Sequence, residues 1–114
     1  MNCKQKELLV RIKERSFVAR VAAWKLKSDN AAIVIGNTIH LYNASCPEFL
    51  KNKAWLCHEL KHIQQFRQYG FVPFVFMYLR ESMLHGYANN KFEIEARAAE
   101  KEEHLIASMK LLDK

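Results

Sequence analysis

Apolar positions change their period several times along this chain, and each change marks an element. Over residues 4–27 they recur at helical spacing, at Leu8, Leu9 and Ile12 and then at Phe17, Val18, Val21, Ala22 and Trp24. That pattern predicts two helical pieces meeting near Ser16, a residue type suited to cap the second. Over residues 31–43 the chain becomes β-branched and aromatic. Ala31–Ile35 and Thr38–Tyr42 flank Gly36-Asn37, a two-residue turn signal, so a β-hairpin is predicted. Ile39 and Leu41 then face one side of the second strand, and Thr38, His40 and Tyr42 face the other. Helical spacing returns over 47–69, with Gly70 as its stop. Pro73 opens another apolar helix, 73–86, closed by Gly86. Asn89 or Asn90 caps a last helix over 91–112. The predicted fold class is α+β and mostly helical, one domain over residues 1–114 with a small antiparallel β-hairpin.

Composition narrows the class. Half of the 114 residues are hydrophobic, enough for a core without disulfide staples. No apolar run approaches a membrane span, and the basic start carries no apolar signal segment, so a cytoplasmic protein is expected. Three cysteines, an odd number, suit reduced thiols. They form no Cys-x-x-Cys pair, which argues against a cysteine-based structural zinc site. The net charge is +6 and uneven. Residues 1–27 hold eight basic and two acidic side chains, so the whole excess lies there. An ordinary solvated helix face accounts for it; so does contact with an anionic membrane surface or an acidic partner. Nucleic-acid binding is not expected, because no recognition motif is present and aromatics are not interleaved with the basic residues.

One motif carries chemistry. His58-Glu59-Leu60-Lys61-His62 lies inside the 47–69 helix. Histidines four apart share a helix face and can hold one ion, while the glutamate, turned by about 100° per residue, reaches a bound water instead. Zinc lowers the pKa of such a water to about 7, and a neighbouring carboxylate can take its proton. Trp55, Leu56, Ile63 and Phe66 fall on one arc of the helix, and Lys61, Gln64 and Gln65 on the opposite side, which leaves the histidines at the rim of a cleft. A third ligand is needed. Glu93, Glu95, His85 and His104 are the downstream candidates; Glu93 would also suit the third position of a capping box behind Asn90.

These residues resemble the gluzincin zinc metallopeptidases, in which a His-Glu-x-x-His helix is followed by a helix carrying Glu-x-x-Ala, here Glu93-Ile94-Glu95-Ala96. The chain is also similar to small bacterial zincin-like proteins across residues 16–100. The likeness rests on Gly36-Asn37-Thr38-Ile39 before the motif, Gln64-Gln65-Phe66 after it, and Gly86-Tyr87 and Asn90 ahead of the glutamates. The resemblance implies a minimal zincin-like domain with the hairpin packed on the motif helix. It implies Zn2+ held by His58, His62 and Glu93, with Glu59 as general base and Tyr87 as a hydroxyl donor to a developing oxyanion. The strand at 38–42 would be the edge along which a peptide or protein substrate lies. Two departures stand out: the second subdomain of larger gluzincins is missing, and Arg97 follows Ala96 where some branches carry an aspartate that orients a zinc histidine. The competing expectations are a catalytically inactive zinc-stabilised binding module and a peripheral membrane-surface protein using the basic 1–27 segment and the aromatic run after Gly70.

Overall fold

The computed structural model describes residues 8–112. The first described element departs from expectation. Leu8–Lys13 is a strand, β1, not a helix; the part of that expectation over residues 4–7 lies outside the described residues. Its sequence alternates as well as it spirals, with Leu8 and Val10 buried and Leu9 exposed between them. What decides is pairing: β1 runs parallel to two strands far away in sequence. Helix α1, Phe17–Leu26, starts where expected, the Ser16 hydroxyl accepting from the Ala19 N–H at 3.3 Å.

The hairpin forms as read. β2 (Ala31–Ile35) and β3 (Thr38–Tyr42) pair antiparallel, with Ile35 opposite Thr38 and Gly36 at φ 66° in the turn. Ile39 and Leu41 are fully buried, whereas His40 turns to the other face, where its Nδ1 meets the Ser16 hydroxyl at 2.9 Å beneath the start of α1. The sheet is larger than the hairpin and is mixed. Its order is β2-β3-β1-β4, where β4 is Met109–Leu111. The strand at 38–42 is therefore internal, and β2 is the edge strand on the hairpin's side.

The predicted 47–69 helix is two helices. α2, Cys46–Lys51, begins with a capping box between Ser45 and Glu48 and carries Pro47 in its first turn. The chain bends at Asn52, whose side chain caps the Trp55 N–H of α3, Lys53–Tyr69. Gly70 and Gly86, at φ 89° and 81°, bound α4, Phe71–His85. The last predicted helix holds only over α5, Lys91–Ala98. A 3-10 turn at Ala99–Lys101, a one-turn helix α6 (His104–Ala107) and β4 replace the rest. No glycine or proline signals this break; burial of Ala99 and Leu105 and the pairing of β4 with β1 impose it.

The core lies between one face of the sheet and α3, where Leu8, Val10, Ile39 and Leu41 meet Leu56, Leu60 and Ile63, closed at one end by Phe49. The helix α3 is therefore a rigid platform. α5 and the 3-10 turn pack along it, and α4 leans on it through Phe74. Among the described residues, no helix is long and apolar enough to cross a membrane.

Candidate metal centre

His58, Glu59 and His62 project from the middle of α3, and Glu93 projects toward them from the first turn of α5. Their convergence depends on Asn90, which is fully buried. Its Oδ1 accepts from the Phe92 N–H at 2.8 Å and starts α5; its Nδ2 donates to the Tyr78 carbonyl at 3.0 Å and the Ser82 hydroxyl at 2.9 Å on α4. One amide thus fixes the start of α5 against α4. Phe92 then wedges against Phe74, ring centroids 4.9 Å apart, and Glu93 faces α3. The third position of a capping box is filled, but the carboxyl turns to the histidines.

Both histidines present Nε2 to Glu93, His58 at 3.1 Å and His62 at 3.3 Å from Oε1. One ligating atom from each of the three residues lies within 4.8 Å of the others. The outer ring nitrogens are occupied. His58 Nδ1 is 2.9 Å from Glu100 Oε2, and His62 Nδ1 is 2.9 Å from Gln65 Oε1. Gln65 spends its amide donors on the Phe92 carbonyl at 3.1 Å and Glu95 Oε1 at 2.9 Å, so its oxygen accepts from His62. An Nδ1–H held in this way leaves Nε2 as the atom each ring could offer to a metal. The Tyr78 hydroxyl donates to the other oxygen of Glu93.

The electrostatics follow from burial and charge. Burial lowers the pKa of both histidines, but the Glu93 carboxylate, with Glu100 at His58, outweighs it and the net shift is upward. For Glu93 burial acts upward, yet hydrogen bonds from His58 and His62 hold the carboxyl well below its ordinary range. Glu59, 5 % exposed, lies beside His62, and burial pushes its carboxyl up to about 8. Burial and the Glu93 carboxylate raise Tyr78 strongly and push Tyr87 up to about 12, so both hydroxyls stay protonated as donors.

Of the downstream candidates, the structure brings Glu93 alone to the histidines. Glu95 is engaged by Gln65, His85 is exposed at the end of α4, and His104 lies 3.8 Å from Glu102 on the surface. Tyr87, half-exposed, reaches the same cleft from the loop after Gly86, a loop tied down by Arg97 on the Ala88 carbonyl. Four contributors escaped sequence reasoning: Gln65, Tyr78, Asn90 in its bridging role and Glu100. Helical spacing puts Gln65 on the solvent side of the helix, yet it is 2 % exposed. Its signal was its place three residues after His62; Glu100 lies seven after Glu93, two turns along.

The cluster opens into a cleft of about 450 Å³. Its walls are Ala22 and Leu26 of α1 with the edge strand β2 on one side, and Val75, Tyr78 and Leu79 of α4 on the other; His58, Glu59, His62 and Glu93 form its floor. Comparison of the chain with protein-family models, with curated proteins and with solved structures finds no match in any of the three.

Proposed function

We propose that this chain is a zinc-dependent metallopeptidase of the zincin-like kind, acting on peptide or protein substrates in the cytoplasm. The observation that carries the reading is the convergence of His58, His62 and Glu93, with ligating atoms within 4.8 Å of one another, at the floor of a cleft that also holds the buried Glu59. The donor set fits a metal ion. Two imidazoles whose outer nitrogens are engaged, and one carboxylate from a second helix, would hold the ion at the floor of the cleft, the three-ligand set of a catalytic rather than a closed structural site. The same donor set suits ferrous iron; the carboxyl of Glu59 beside it favours hydrolysis and zinc. The free thiols of Cys46 and Cys57 suit a cytoplasmic location.

Zinc held there supplies Lewis acidity, acidifying a water and polarising a substrate carbonyl. The chain's own residues do the rest. Glu59 takes the proton of the attacking water and delivers it to the departing amide nitrogen. Tyr87 donates its hydroxyl to the carbonyl oxygen as charge gathers there. Tyr78, bonded to Glu93, keeps that carboxyl aimed, and Glu100 and Gln65 do the same for the imidazoles. An extended peptide pairs with the free edge of β2 by strand addition, and the apolar walls receive its bulky apolar side chains.

Elemental mass spectrometry of the wild type beside His58→Ala and Glu93→Ala tests the metal. About one zinc per chain in the wild type, lost in both variants, is expected; iron in its place, or no metal after supplementation, rejects the reading. Quenched fluorescent peptides with apolar residues then test turnover, which Glu59→Gln should abolish while zinc is retained. A second reading, an inactive zinc-stabilised binding module, draws support from the completeness of the network, since no buried side-chain polar atom among the described residues lacks a partner. It requires that Glu59→Gln change nothing but stability.

A further inference from the structure

Two of the helices that line the cleft carry exposed apolar stripes. On α1, Phe17, Val21 and Trp24 share one exposed face, with Phe17 74 % and Trp24 77 % exposed. On α4, Phe76, Leu79 and Met83 do the same, with Phe76 69 % and Met83 86 % exposed. Leu79, about half-exposed, also lines the cleft, so the α4 stripe continues into its wall, whereas α1 lines the cleft with Ala22 and Leu26 and turns Phe17, Val21 and Trp24 to its other side. This is far more surface of large apolar side chains than a water-facing helix ordinarily carries, and it calls for a partner.

Charge identifies that partner. Between Ser16 and Ser28 there is no acidic residue, and Arg20, Lys25 and Lys27 stand exposed among the apolar side chains of α1. The first 27 residues hold the chain's whole excess of +6. A helix with tryptophan and phenylalanine on one face and Lys and Arg beside them has the make-up of an interfacial membrane helix. Twofold pairing with a second copy through α1 would set these cations against their own counterparts. We propose that the chain docks on an anionic lipid bilayer through the face of α1 that carries Phe17, Val21 and Trp24. The apolar side chains enter the headgroup–acyl boundary, and Lys25 and Lys27 meet the lipid phosphates. The proposal is independent of the metal reading.

The test uses the full chain and vesicles of phosphatidylcholine with and without phosphatidylglycerol. Flotation is combined with the emission of Trp24 in a Trp55→Phe background; all the other substituted positions are exposed, and circular dichroism checks the fold of each variant. Binding to the phosphatidylglycerol vesicles is expected, with a blue shift of Trp24 and quenching by brominated lipid. The affinity should fall as salt rises. It should fall on the order of tenfold or more in Lys25→Glu/Lys27→Glu, and at least as far in Phe17→Ser/Trp24→Ser. Three results would overturn the proposal: no flotation with anionic vesicles, binding indifferent to lipid charge, or a lipid-free oligomer that buries Trp24. Flotation with Trp24 emission unmoved would also overturn it, since the docking face would then lie elsewhere.

Discussion

α3 and α4 follow one another in the chain and are nearly equal in length, 17 and 15 residues, yet they are opposites. α4 is the more apolar in sequence but buries one residue, Phe74; α3 mixes charges and amides with its leucines and buries seven, including Glu59, His62 and Gln65. Composition alone would assign the core to the wrong helix. α3 is buried because the sheet covers one side of it and α5 and the 3-10 turn cover the other, so its polar residues find their partners there and among themselves. α4 has α3 on one side and the cleft on another. The difference separates two duties. One helix holds chemistry in a fixed geometry, and the other offers apolar surface to whatever comes to the cleft.

If that contrast is right, substitutions on α3 should be costly in ways those on α4 are not. The largest effect is expected for His62→Ala. It removes one of the three proposed ligands, the donor to the Gln65 side-chain oxygen and one of the bonds to Glu93, so metal content should fall to background and the apparent melting temperature with it. Calorimetry with and without zinc measures both, and a variant that keeps its zinc would break the comparison at its centre. Glu59→Gln comes next. Turnover should fall by about 10²–10⁴-fold with zinc retained. In the metal-free chain the same change should stabilise at alkaline pH. Burial raises the Glu59 carboxyl from 4.5 to about 8, so between those values the folded chain binds more protons than the unfolded one. Stability contributed by that group is therefore lost as pH rises through the window, and the raised histidines act in the same direction above 6.5. Glu93, held low, acts in reverse and costs stability only as pH falls below its ordinary 4.5. The metal-free protein should be most stable on the acid side of neutrality. Glu59→Gln should flatten the decline toward pH 8 by about 1 kcal/mol or more, read by denaturant titration at several pH values.

How far the sequence reveals this division depends on distance along the chain. The hairpin was legible because Gly36-Asn37 and the β-branched runs beside it are one local signal; the motif helix was legible because His58 and His62 are one turn apart. Gly70 and Gly86 punctuate α4 for the same reason. Misreadings fall where distant pairing decides. Leu8, Val10 and Ile12 alternate, yet Leu8, Leu9 and Ile12 also suit a helix, and only β3 and β4 on either side make them a strand. The break after Ala98 and the edge position of β2 are set by the same sheet. At the site, Glu93 was among several candidates in the residues themselves and was singled out by the zincin resemblance. Glu100 and Gln65 were missed because a carboxylate or amide on a helix reads as solvated until a histidine is known to face it.

Core packing gives the third test. Leu60→Ala on α3 should cost about 2–5 kcal/mol, since the side chain is fully buried against the sheet. Glu100→Gln should be milder. It keeps a hydrogen-bond acceptor for His58 but removes the charge, and zinc affinity should fall about 10–100-fold with little change in the metal-free fold. Competition with a chelator measures it, and an unchanged affinity would mean that Glu100 is a surface carboxylate that only happens to lie near His58.

The smallest stability effect is expected for Met83→Ser on α4. Met83 is 86 % exposed and forms part of no core cluster. Its removal should shift unfolding free energy by about 0.5 kcal/mol or less. Leu79→Ser, one turn earlier and half in the cleft, should behave the same way in unfolding yet weaken the binding of an apolar peptide. Measured side by side with Leu60→Ala, the pair sets the two helices on one scale. A loss of several kcal/mol at either α4 position would mean that this face is covered in the folded chain, and the contrast between a fixed helix and an offered one would have to be withdrawn.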